Sequence, residues 1–250
     1  MVQERKWECI SRLDGGLIAS CQASTGEPLC HPEHILAMSL SAVAGGAVAL
    51  RLEGTDNIKA VRESMKLPPD FPVVGLIKST LIAAEDRLKK AYITSTFEEA
   101  KSIVEAGADI VALDATGRDR PDGSSVAVMI ERIHDELKRP VWADVATFSE
   151  GIAAAKAGAD IVSTTLFGYT EETKSPLEQG PALDLLKNLC DQLEIPVILE
   201  GRVWHPYEVT EAFEQGAFAV VVGSAITRPT LIAERFVKAI PLRRPKKTLA

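Results

Sequence analysis

No stretch of about 18 consecutive apolar residues occurs in the 250-residue chain, so no segment is built to cross a bilayer as a helix. The first residues, MVQERKWECISRLDGG, lack the basic, then apolar, then small-residue order of a secretory signal. Cysteine is scarce: Cys9, Cys21, Cys30 and Cys190 are scattered without a CxxC pair, which fits a reduced, cytoplasmic setting. A basic excess is missing too. The net charge of −7 argues against a general nucleic-acid surface, although a local pocket can still hold an anion. What is present, 46% hydrophobic and 25% charged residues, excludes disorder.

Two short phrases alternate along the chain. A Gly-Ala turn followed by an apolar run occurs at Gly46-Ala47, Gly107-Ala108, Gly158-Ala159 and Gly216-Ala217; Pro-Val followed by apolar residues occurs at Pro72-Val73, Pro140-Val141 and Pro196-Val197. Glycine suits the positive φ that ends a helix, and proline suits the first position after one has ended. Each phrase therefore marks the end of a helix and the start of a short buried strand. The runs are almost wholly apolar, as in a parallel sheet covered on both faces. Amphipathic stretches lie between them, at 96–106 with a Thr96 cap and at 149–157 with a Ser149 cap.

With GLIASC at the front, strands are predicted near 16–21, 47–51, 73–77, 109–114, 141–145, 160–165, 197–200 and 218–222. Eight strand–helix units in this length predict an α/β chain folded as a single (β/α)8 TIM barrel over 1–250. A short basic tail from about 241 (RRPKK) reads as a solvated end. The alternative, an open doubly wound sheet, lacks a G-x-G-x-x-G after the first strand.

In such barrels the chemistry sits at the C-terminal ends of the strands. Asp144 and Glu200 each lie three residues past the valine of their Pro-Val phrase, and Lys78 lies five past it. Three and five share parity, so the three side chains project to one side of the sheet. If that side is the interior, Lys78 stands one layer above the carboxylates. Strands three and seven face each other in a ring of eight, so Lys78 and Glu200 would flank a ligand at the mouth. Burial of charges for stability alone is costly, which favours function over a plain Lys78–carboxylate pair. Asp144 has an orienting role as its alternative. Gln22 and Arg51 complete a polar ring suited to a sugar-sized ligand.

The loops after strands seven and eight, Glu200-Gly201-Arg202 and Gly223-Ser224, suit phosphate binding through backbone N–H groups, with Arg202 and Arg228 at hand. His31-x-x-His34 beside Pro32 reads as a helix start rather than a metal site, and His134 and His205 lack ligand partners at suitable spacing. No metal and no cofactor is expected. Asp114 to Thr116 and RDRPDG at 118–123 form a polar loop that either closes the pocket or only turns the chain.

These residues resemble the bacterial N-acetylmannosamine-6-phosphate 2-epimerase family. The matching phrases include SCQA (20–23), ALRLEG (49–54), GLIK (75–78), YITST (92–96), WADV (142–145), STTLFGYT (163–170), ILEGR (198–202) and VVGSAITRP (221–229). The resemblance implies a phosphate-binding barrel that interconverts N-acetylmannosamine 6-phosphate and N-acetylglucosamine 6-phosphate in sialic acid catabolism. It implies Lys78 as base and Glu200 as acid or orienting group. Sugar contacts are expected from Gln22, Arg51, Asp144 and Thr165, and phosphate contacts from Gly201, Arg202, Gly223, Ser224 and Arg228. It also implies a homodimer acting on a small sugar phosphate. The segment after Lys78, STLIAAEDRLKKA at 79–91, is longer and less polar than the family pattern and bears on substrate preference. A strand-end lysine also suits a Schiff-base aldolase or lyase, the enzymatic alternative.

Overall fold

Each of the eight strands foreseen from the two phrases and from GLIASC is present, with ends displaced by two residues at most: β1 Leu17–Cys21, β2 Ala49–Glu53, β3 Val73–Leu76, β4 Ile110–Asp114, β5 Val141–Asp144, β6 Ile161–Ser163, β7 Val197–Glu200 and β8 Ala219–Val222. The computed structural model describes residues 7–24, 26–174 and 179–241; the RRPKK run lies outside them. The strands are parallel and close in sequence order, β8 pairing with β1 through Ile18 and Val221. The four glycines of the Gly-Ala phrase carry φ between 95° and 110°, a region that side chains with a Cβ rarely adopt.

Strand parity sorts the apolar residues into two cores. Ile18, Val74, Ile110, Trp142, Ile161 and Ile198 fill the barrel, and Leu13, just after α1 (Glu8–Ser11), packs with them. The alternate residues Leu50, Leu52, Val111, Leu113 and Leu199 face outward. They are covered by α2 (Pro32–Ala44), α3 (Thr55–Glu63), α4 (Phe97–Glu105), α5 (Val126–Arg132), α6 (Phe148–Lys156), α7 (Leu183–Cys190) and α8 (Pro206–Glu214). Burial on both faces is why the strands read as unbroken apolar runs.

The Thr96 cap is in place: its side chain accepts from Glu99 N–H, and Glu99 reciprocates in a capping box. On α6 the cap is Thr147, not the expected Ser149. Glu150 falls at the third helical position from Thr147 and can reach back to its backbone, whereas Ser149 lies inside the first turn. Beyond β8 come a one-turn helix, α9 (Ser224–Thr227), and α10 (Pro229–Lys238), which has no buried residue.

Candidate active site

The interior parity continues past the strand ends, and there it becomes polar. Ser20 and Gln22 follow Ile18, Arg51 follows Ala49, Lys78 follows Leu76, Ser163 and Thr165 follow Ile161, and Glu200 follows Ile198. These positions meet at the C-terminal mouth, where a cavity of about 840 Å³ opens. Gln22, Arg51, Lys78, Thr165 and Glu200 line it. Asp144 does not: fully buried, it lies behind Arg51 and Thr165.

Arg51 holds the centre. One guanidinium nitrogen is 2.6 Å from Asp144 Oδ2 and another is 2.8 Å from Glu200 Oε1. Thr165 Oγ1 lies 2.6 Å from Asp144 Oδ1 and 3.1 Å from Glu200 Oε2, so it can donate to either carboxylate. Ser163 donates to Asp144 Oδ1 at 2.9 Å and accepts from the Trp142 indole N–H at 2.7 Å. The Glu200 backbone is fixed in turn, its N–H donating to Thr164 Oγ1 at 3.1 Å. Burial pushes the Glu200 carboxyl up to about 7, with Arg51 opposing and the Asp144 charge assisting. A carboxyl tuned there can both give and take a proton near neutrality.

Lys78 joins neither carboxylate. It lies two residues beyond β3, and its backbone pairs antiparallel with Ile93. Burial lowers its ammonium pKa, and the cations Arg51, Arg228 and Arg87 add to that effect against the pull of Glu53. Since β3 and β7 are opposite in the ring, Lys78 and Glu200 approach the cavity from facing walls.

Gly201, Gly223 and Ser224 form the wall at the ends of β7 and β8. Arg228 pairs with Glu27 and donates to Ser24 Oγ at 3.4 Å. Arg202 turns toward the loop after β6, donating to Gly168 C=O at 3.3 Å with its guanidinium 5.2 Å from the Tyr169 ring centre.

Residues 35–241 match the family described as "Putative N-acetylmannosamine-6-phosphate epimerase". The chain belongs to this family. Relatives named "Putative N-acetylmannosamine-6-phosphate 2-epimerase" occur in Caldanaerobacter subterraneus subsp. tengcongensis, 45% identical over 95% of this chain and 96% of the relative, and in Synechococcus elongatus, 45% identical over 94% and 97%. The solved N-acetylmannosamine-6-phosphate 2-epimerase from Clostridium perfringens is 37% identical, with a TM-score of 0.85 over 96% of this chain and 100% of that one. A thiamine phosphate pyrophosphorylase from Pyrococcus furiosus, 16% identical with a TM-score of 0.56 over 91% and 96%, shares the fold alone.

This epimerase-family chain also places residues at the cavity that the strand-end reading omits: Tyr92, Ile93, Tyr169, Ser20 and Thr227. Ser20 was findable, being two residues before Gln22 on the same face. Tyr92 and Ile93 were not, because they follow the long 79–91 segment, which parity does not reach. That segment is held in place: Ser79 N–H donates to Tyr92 C=O at 2.7 Å, and Glu171 N–H donates to Leu88 C=O at 3.2 Å. The loop after β4 acts mainly as scaffold, with Arg118 2.7 Å from buried Asp114 and Arg120 donating to the carbonyls of Thr94, Ser95 and Asp114. His31 and His205 occupy the N-cap positions of α2 and α8, His31 without a side-chain cap hydrogen bond, while His134 lies 2.7 Å from Asp160.

Proposed function

We propose that the chain epimerises C2 of a phosphorylated N-acyl amino sugar, interconverting N-acetylmannosamine 6-phosphate and N-acetylglucosamine 6-phosphate. The observation that carries this is a lysine with lowered pKa facing a carboxyl tuned to about 7 across one cavity. The phosphate rests on the backbone at Gly201, Gly223 and Ser224, near Arg202 and Arg228, and supplies binding energy remote from C2. In the open-chain sugar the C1 carbonyl acidifies the C2 proton. Lys78 takes that proton, the C2–H electron pair moves into a C1–C2 double bond, and negative charge develops on O1. Arg51, Thr165 and Gln22 stand where they can contact the oxygens of the sugar. Return of a proton to the opposite face of C2 completes the inversion, with Glu200 as the acid on that side. Asp144 positions Arg51 and Thr165 from beneath.

We propose further that one barrel domain carries this activity, in a cytoplasmic homodimer. Phe236 and Val237 of α10, with Ile240 just beyond it, are exposed, and a second copy is the cover proposed for them.

Proton NMR of N-acetylmannosamine 6-phosphate with the enzyme in D2O tests the reaction. The expected result is formation of the other epimer with deuterium at C2. Absence of both conversion and exchange sinks the proposal. Borohydride added with substrate should leave the protein mass unchanged; a covalent adduct at Lys78 would move the chemistry to a Schiff-base lyase.

A further inference from the structure

Tyr92 stands beside Lys78 without a role in the chemistry so far described. The two segments run together: Lys78 pairs with Ile93, and Tyr92 C=O accepts from Ser79 N–H. The tyrosine is clamped. Its N–H donates to Asp114 Oδ2 at 3.1 Å, and the guanidinium groups of Arg87 and Arg118 lie 5.3 and 5.6 Å from the ring centre. Arg118 is itself anchored on Asp114. The ring borders the cavity, and the hydroxyl makes no hydrogen bond to a described residue. Burial and the nearby carboxylates push that hydroxyl up to about 12, so it stays a neutral donor in the working pH range. Ile93, almost fully buried, borders the same cavity.

The orientation of the substrate follows from the epimerase reading, on which this inference rests. With the C6 phosphate at the ends of β7 and β8, the carbon chain crosses toward β3 and brings C2 to Lys78. The C2 substituent then reaches the wall built by residues 92 and 93. A neutral donor next to an apolar side chain matches an acylamide, whose carbonyl oxygen accepts and whose alkyl group needs dry contact. We infer that Tyr92 and Ile93 form the acyl subsite, the Tyr92 hydroxyl donating to the acyl carbonyl oxygen while Ile93 contacts the alkyl group.

Tyr92→Phe keeps the ring and its two arginine neighbours and removes only the hydroxyl. The expected result is a KM for N-acetylmannosamine 6-phosphate raised about tenfold with kcat changed by about twofold at most, the scale of one lost hydrogen bond. Inhibition by unacylated mannosamine 6-phosphate should be unaltered. If wild-type enzyme turns over the acetylated sugar and Tyr92→Phe matches it in KM, the subsite is overturned while the epimerase stands. An inactive wild type would overturn the epimerase reading and this inference with it. A second measurement needs no variant: with bound N-acetylmannosaminitol 6-phosphate, an NMR contact between the acetyl methyl and the Ile93 side chain is expected, and its absence overturns the subsite.

Discussion

Arg51 and Asp144, 93 residues apart in sequence, meet at 2.6 Å with Arg51 only 2% exposed and Asp144 fully buried. The same guanidinium also holds Glu200, so one cation serves two buried carboxyl groups. Burial raises the pKa of Asp144 as it does that of Glu200, with Arg51 and the hydroxyls of Thr165 and Ser163 opposing the rise. Of the two, only Glu200 borders the cavity. A proton carried by Glu200 would therefore stand opposite Lys78 across the cavity.

Removing the shared cation should be severe. Arg51→Met leaves two carboxyl groups buried without a counter-charge, and loss of one partner of a buried pair typically costs about 3–5 kcal/mol. Urea unfolding should show a loss of that order, and Arg51→Met with Asp144→Asn should recover part of it. A loss under about 1 kcal/mol would mean that the network holds little stability.

The raised pKa of Glu200 has a definite sign for stability. Between the ordinary carboxyl value of 4.5 and about 7, the folded chain binds more protons at this site than the unfolded chain. The contribution of Glu200 to stability is therefore fully present below 4.5 and is lost as pH rises to about 7. Glu200→Gln should flatten the stability–pH curve across that window, by on the order of 1–3 kcal/mol. The falling limb of kcat/KM near pH 7, expected if the protonated carboxyl is the acid, should vanish in the same variant. A limb unchanged in Glu200→Gln would assign it to another group.

Much of this site was legible because strands obey a two-residue period. Lys78, Asp144 and Glu200 were placed on one side by counting from Pro-Val, and the apolar residues beneath them, Leu76, Trp142 and Ile198, do fill the barrel. What the count does not contain is cross-strand distance. It left Lys78 pairing with Asp144 or Glu200 as an alternative, yet both carboxylates pair with Arg51, because register and strand tilt decide which side chains meet. The cap of α6 shows the same limit on a smaller scale: Thr147 and Ser149 are both acceptable capping residues, and only the reach of Glu150 selects the first. The wall made by Tyr92 and Ile93 depends on the path of a long loop, for which no periodic rule exists.

Lys78 should be indispensable for exchange and dispensable for binding. Lys78→Ala is expected to lower C2 proton–deuterium exchange by about 10³-fold or more, the upper part of the range for a general base. Substrate should still raise the melting temperature, since the proposed phosphate wall at Gly201, Gly223 and Ser224 is untouched. In wild type, the rising limb of kcat/KM should lie below the ordinary lysine value of 10.5, because burial lowers the pKa of this ammonium. Near-normal exchange in Lys78→Ala would remove it from the mechanism.

Gly168 gives a test of whether the position of Arg202 matters to the sugar phosphate. Its φ of 84° is strained for any residue with a side chain, and a Cβ built there would collide with the Arg202 guanidinium. Arg202 cannot simply swing away, since it packs beside Tyr169 and is almost fully buried. Gly168→Ala should therefore displace a cation from the wall proposed to hold phosphate. The expected effect is a rise in KM of about tenfold with a much smaller change in kcat, as for loss of a contact made equally in ground and transition states. Adding Arg202→Ala to Gly168→Ala should cost no more in KM than Arg202→Ala alone, because the collision and the contact belong to the same side chain. If the two effects on KM multiply instead, Gly168 acts through the loop backbone and not through Arg202.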